Sequence, residues 1–294
     1  MYFCVSNNAS MRQCVNDLAL SHCSIIFTKQ VSNIIMKKIG FVLTVLLLFA
    51  LKTFAQEELR TIHVMVALCD NKYQGIAKVP AKIGNGQSPY NNLYWGALYG
   101  LKTHFKKSPD WELIETQKTN LPDHVLERII FRHTGKNTYL VADAYDGAHI
   151  RQTTMDFIYA SGGYNGKNLK KDGRLLPIGG AADLLVYIGH NGLMDFHYAD
   201  AGTLLPRNDK HREIIMLGCI TKDYFTNIML PLGVTPLVWS THLMAPEAYT
   251  LEAALKGWVN RESNQAIQER AAQAYHRYQK CGINSARRLL VTGY

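Results

Sequence analysis

Two side chains of this 294-residue chain pair a nucleophile with a base at positions that a fold can bring together: His190 and Cys219. His190 follows the apolar run ADLLVYI (182–188), and Cys219 follows EIIML (213–217). A thiol becomes an effective nucleophile when an imidazole within hydrogen-bond reach takes its proton. The neighbours suit that chemistry. Gly189, Gly192 and Gly218 permit tight turns and close approach of a substrate backbone. Cys219 precedes a short segment expected to be helical, and a helix N-terminus favours the thiolate. Backbone N–H groups after a strand can stabilise a tetrahedral oxyanion.

Such a pair needs neighbouring strands with a shared rim. TIHVMVALC (61–69), TYLVADA (138–144), ADLLVYI, EIIML and PLVWS (236–240) are nearly continuous apolar runs, the mark of strands covered on both faces. A shorter strand is expected over 111–115. Helices are expected over 92–105, 123–132, 149–161 and 223–230, from Pro246 onward with Ala248, Leu251, Leu255 and Trp258 at helical spacing, and from the cap Ser263 to about Gln279. The segments 70–91 and 162–174 are expected to be loops, and 194–205 a small hairpin. Strands that alternate with helices predict one α/β domain: a mainly parallel sheet with helices on both faces and ligands at the carboxyl ends of the strands.

The formal charge of +9 and the six cysteines are unevenly placed. Met36-Lys37-Lys38, an apolar stretch from Gly40 to Leu51 and small residues before Gln56 have the form of a secretory signal peptide over 36–55, too short for a comfortable membrane span. Residues 1–35 show no period or caps and are expected to be a non-native extension, with Met36 as the start. No cysteine follows the apolar stretch to carry a lipid anchor, so no stable membrane anchor is expected after cleavage. The expected mature chain is a single domain over 56–294, exported to a periplasm or the extracellular space. Losing residues 1–55 removes five basic residues and one acidic, which takes +9 to +5 over 239 residues. With no basic run beyond pairs such as Lys106-Lys107, a nucleic-acid partner is not expected. Cys69, Cys219 and Cys281 remain, and an odd count leaves at least one thiol free unless it bridges chains. Cys69 could pair with Cys219 or with Cys281. The free thiol is expected to be Cys219.

A second arrangement, His190, Asp195 and His197 with Asp200 nearby, offers imidazoles and carboxylates for a hydrolytic metal, but its spacing fits no strong zinc pattern. IGNGQSP (83–89) lacks the Lys-Ser/Thr ending of a phosphate loop. No cofactor is expected.

The order strand–His–Gly, then strand–small residue–Cys, resembles the clan of cysteine peptidases that holds caspases, legumains, clostripain and gingipains. LLVYIGHNG and EIIMLGC carry the likeness, and IHVMVALCDN followed by LYWGALYGLKTHF is similar to the clan's start. The likeness spans about Thr61 to Trp258 as an order of elements more than as identities. It implies a caspase-like three-layer sandwich and a peptidase acting on a protein or peptide. In that scheme His190 is general base and acid, Cys219 is nucleophile, and the N–H groups of Gly192 and Cys219 form the oxyanion hole. The clan's substrate pocket is built from loops at the same rim, where Asp143, Asp146 or Glu247 would offer a carboxylate to a basic side chain. The chain departs from the pattern where Asn191 separates His190 from Gly192, and where Gly218 precedes the cysteine. An exported binding protein that keeps the fold without catalysis, and a metal-dependent hydrolase, are the alternative expectations.

Overall fold

The apolar runs become the parallel strands of one sheet. The computed structural model describes residues 35–41, 57–199 and 203–294. Of the expected leader and upstream extension only a short exposed helix over 35–41 is described; it belongs to a separate unit, Met1–Glu57, and the rest lies outside the described residues. In chain order the second unit, Glu58–Tyr294, contains β1 (Arg60–Ala67), α1 (Leu101–Phe105), β2 (Trp111–Gln117), β3 (Val125–His133), β4 (Thr138–Tyr145), α2 (Ile150–Ser161), β5 (Lys167–Lys171) and β6 (Arg174–Ile178). It continues through β7 (Leu184–Ile188), β8 (Glu213–Leu217), α3 (Thr221–Met229), β9 (Thr235–Ser240), α4 (Ala248–Val259), α5 (Asn264–Gln279), α6 (Ile283–Leu289) and β10 (Leu290–Val291). No helix among the described residues is long and apolar enough to cross a membrane.

The fold is α/β around an eight-stranded, mostly parallel mixed sheet in the order β10-β9-β8-β7-β1-β4-β3-β2. The five strands β9, β8, β7, β1 and β4 run parallel, while β10 at one edge and β3 and β2 at the other are antiparallel to their neighbours. Alternation along β1 sends Ile62, Val64 and Val66 into one core, shared with residues of α4, α5 and α6. Met65 and Ala67 enter a second core with residues of α2 and α3. Ile62, Val64 and Val66 are wholly buried, each contributing roughly 1.5–3 kcal/mol of hydrophobic stabilisation.

Four segments depart from the sequence expectation. The helix expected over 123–132 is strand β3. Its apolar residues serve both faces, with Ile129 and Phe131 in the core shared with α4–α6 and Ile130 beside Tyr139 and Val141, which only a period of two allows. The helix expected over 92–105 shrinks to α1. Asn92 pins the preceding turns by exchanging side-chain hydrogen bonds with the N–H and C=O of Cys69 (3.1 and 2.8 Å). The loop expected over 162–174 holds most of a hairpin, β5–β6, which turns at Asp172 and Gly173, both at positive φ (48° and 73°), the mirror-image turn that joins tight hairpins. The hairpin expected over 194–205 has no strand among the described residues; Gly192–Met194 is instead a 3-10 turn.

Candidate functional site

Strands β7 and β8 are adjacent and parallel, with Ile188 registered against Leu217. Two residues beyond that pair, His190 and Cys219 stand at the same level of the carboxyl-end rim. Neighbouring strands lie about 4.8 Å apart. Two bonds tie the turns together. The Gly189 N–H donates to the Leu217 carbonyl (3.0 Å), and the Asn191 amide donates to the Cys219 carbonyl (2.8 Å).

Backbone geometry explains the residue types. Gly189 sits at φ 136°, and a β-carbon there would come within 2.5 Å of the Ala67 carbonyl oxygen of β1. Only glycine fits this turn. Ile220, directly after Cys219, adopts the left-handed conformation at φ 52°. This is a costly region for a β-branched side chain. It is held there by an Ile220 N–H bond to the His242 carbonyl (3.0 Å) and by the start of α3. Cys219 thus occupies a sharp strand-to-helix turn.

His190 is almost fully buried, and its Nε2 lies 2.8 Å from Oδ2 of Asp195. A carboxylate that accepts the Nε2 proton leaves Nδ1 with its lone pair, the form a general base needs. Asp195 in turn accepts from the Gly75 N–H (3.3 Å), so the loop after β1 packs on this pair. The loop is itself ordered: Gln74 donates to the Leu68 and Gly147 carbonyls, and Asp70 accepts from the N–H groups of Lys72 and Tyr73. Asp195 also borders a cavity of about 410 Å³ whose walls include Leu193, Phe196, Tyr198, Tyr224 and Ile228.

Cys219 is half-buried, and its Sγ faces the Met244 carbonyl at 3.7 Å. It shares its surroundings with Glu247, Tyr94 and Tyr275. Burial raises the pKa of both tyrosines. Burial likewise raises the Glu247 carboxyl, which accepts from Tyr249 and Gln279. Glu247, one of the three expected pocket carboxylates, follows by three residues Met244, whose carbonyl faces Cys219 Sγ.

Asp143 and Asp146 do other work. Asp143 is 1% exposed and engaged on both oxygens, by a bidentate Arg128 (2.6 Å each) and by His63 Nε2 (3.1 Å). Burial works against its charge, yet these bonds hold its pKa below the usual carboxylate value. Its register partner on β1 is Met65, so it stands below the rim and cannot serve a pocket there. Asp146 caps the 3-10 turn Gly147–His149 and accepts from Gln87.

Gly192, expected to lend an N–H to an oxyanion, is buried in the 3-10 turn Gly192–Met194. The Tyr187 hydroxyl, on the preceding strand, donates to the His190 carbonyl (2.6 Å). A β-carbon on Gly192 would meet Thr154 Oγ1 at 2.2 Å. Asn191 caps this turn, its side chain accepting from the Leu193 N–H.

All three thiols of the second unit are unpaired. Cys69 is buried, and burial pushes its thiol up to about 11. Cys281 is exposed. No group of three or more His, Cys, Asp and Glu side chains gathers as a metal site among the described residues. Asp195 is the partner of His190, a role that its spacing of five residues permitted but did not reveal, and Asp200 of the expected metal arrangement lies outside the described residues.

No protein-family model matches the chain, and no curated protein or solved structure shows a significant match.

Proposed function

We propose that this chain is a thiol hydrolase acting on peptide bonds, with Cys219 as nucleophile, His190 as general base and acid, and Asp195 as the residue that orients His190. The observation that carries the reading is the His190–Asp195 bond at the end of β7, level with Cys219 at the end of β8. The strained turn at Ile220 adds to it, because such outliers cluster where a reacting group must be held.

In the proposed reaction Nδ1 of His190 takes the Cys219 proton. The thiolate attacks the carbonyl carbon, a C–S bond forms, and the carbonyl π pair moves to oxygen. The Cys219 N–H, which has no hydrogen bond among the described residues, would receive that oxyanion. The His190 imidazolium returns its proton to the leaving amine as the C–N bond breaks. Water activated by His190 then cleaves the thioester and restores the thiol.

A caspase-like sandwich is part of the same proposal. Its support is the strand order, with β1 central, β4 on one side, and β7, β8 and β9 in sequence on the other, and with His and Cys following β7 and β8. Export is proposed from the signal-like run after Met36 alone. The burial of Gly192 favours a second reading, an exported protein that keeps the fold and binds a partner without catalysis.

One experiment separates them. The purified protein is profiled on a peptide library beside Cys219→Ala and labelled with a thiol-reactive probe. Cleavage abolished in Cys219→Ala supports the hydrolase. Absence of cleavage with slow Cys219 labelling supports the binding protein.

A further inference from the structure

A second cavity, of about 240 Å³, is lined by His63, Arg128, Asp143, Tyr145, Asp156 and Lys167, with Met65, Ala160 and Ile178 among its apolar walls. Neither His190 nor Cys219 borders it. Its floor is the buried group His63–Asp143–Arg128, which links β1, β4 and β3. Within that group two members are fully engaged. His63 accepts the Gly179 N–H at Nδ1 (3.1 Å), so Nε2 carries the proton that Asp143 accepts.

Arg128 is only partly engaged. It is 95% buried, and its Nε and Nη2 hold Asp143. Its Nη1 makes no hydrogen bond among the described residues. The one sealed side-chain polar atom without a partner among them is Thr250 Oγ1, so Nη1 opens onto the cavity instead of packing against protein. A guanidinium nitrogen exposed in a cavity wall can donate two hydrogen bonds to an occupant of the cavity.

The remaining charges on the wall are also unanswered. Asp156 accepts from the Tyr145 hydroxyl (3.0 Å) and the Gln152 amide (2.7 Å), both neutral donors, and pairs with no cation among the described residues. Lys167 has no ion pair among them. With Arg128 and Asp143 neutralising each other, the cavity presents one free cation and one free carboxylate. It also presents a guanidinium nitrogen with two N–H donors.

We propose that this cavity binds a small zwitterion of the α-amino-acid class, its carboxylate held by Arg128 Nη1 and Lys167 and its ammonium by Asp156. The side chain would lie on Met65, Ala160 and Ile178. A simple anion would satisfy Arg128 and Lys167 but leave Asp156 unpaired. A peptide carries its terminal charges about 3.6 Å further apart for each added residue, too far for one small cavity.

Calorimetric titration of the whole protein with alanine, propionate and ethylamine tests this. Alanine is expected to bind saturably, at least tenfold more tightly than propionate or ethylamine. Asp156→Asn keeps acceptor and size, so it is expected to lower alanine affinity to the propionate level and leave propionate unchanged. Lys167→Met is expected to weaken both carboxylates. Cys219→Ala is expected to change none of these values. The proposal is overturned if alanine shows no saturable binding tighter than about 1 mM, if alanine and propionate bind alike, or if Asp156→Asn leaves alanine affinity intact. Thermal unfolding of each variant confirms that it is folded.

Discussion

Oδ2 of Asp195 lies 2.8 Å from Nε2 of His190, and a glycine amide from the loop after β1 meets the same oxygen. The pair fixes which imidazole nitrogen is free to accept a proton. Asp195→Asn keeps the size but allows the opposite tautomer. We expect it to lower kcat by on the order of 10²-fold or more with little change in KM, given what the loss of such an orienting carboxylate does elsewhere. Steady-state kinetics on a cleaved peptide decide it; an unchanged kcat removes Asp195 from the mechanism.

The three thiols should separate by reactivity. Cys69 is wholly buried with its thiol pushed up to about 11, whereas Cys219 and Cys281 reach solvent. At neutral pH, iodoacetamide should modify Cys219 and Cys281 and spare Cys69 until the protein unfolds. Mass spectrometry of the alkylated peptides reports this directly.

At Gly189 an added methyl group collides with the Ala67 carbonyl, and the backbone is in a region foreign to L residues. Gly189→Ala should destabilise the protein by about 2 kcal/mol or more and lower activity further, because the turn carries His190. Denaturant titration gives the first number. A stability equal to that of the parent would mean that the turn relaxes freely.

Asp143 links pH to stability. Its pKa is lowered in the folded protein by Arg128 and His63 against the effect of burial, so the folded state favours the carboxylate. The resulting stability is present above the unfolded value, about 3.9, and is lost as pH falls through the folded value. Asp143→Asn should cost about 3–5 kcal/mol at pH 7, because Arg128 is left buried without its counter-charge. It should also flatten the acid limb of the stability profile, which denaturant titrations between pH 2 and 7 would show.

The parallel strands were legible because burial on both faces writes itself as unbroken apolar runs, and the residues flanking β7 and β8 could be placed on one rim from that alone. β3 was not, since VLERIIFRH puts apolar residues at both helical and strand spacing, and pairing with β4 decides between them. The β5–β6 hairpin carried its own signal, Asp172-Gly173, inside a stretch too polar to attract attention. The positions of His190 and Cys219 at adjacent strand ends could be read from the sequence. The burial of Gly192 in the 3-10 turn that Asn191 caps, and the Asp195 contact, are three-dimensional outcomes with no periodicity to announce them. Asp143 misled for a related reason: a strand-end carboxylate looks available until Arg128 is known to lie beside it on β3.

The central place of β1 has a consequence for how the chain is made. Ile62 pairs with Leu140 on one side and Leu184 on the other, so this strand, the first among the described residues, waits for partners encoded far downstream. Long-range pairing of this kind slows folding and leaves an apolar segment open to wrong encounters during synthesis. A chaperone or a slow ribosome would be felt first at Thr61–Ala67, and refolding yield from denaturant should fall steeply as protein concentration rises.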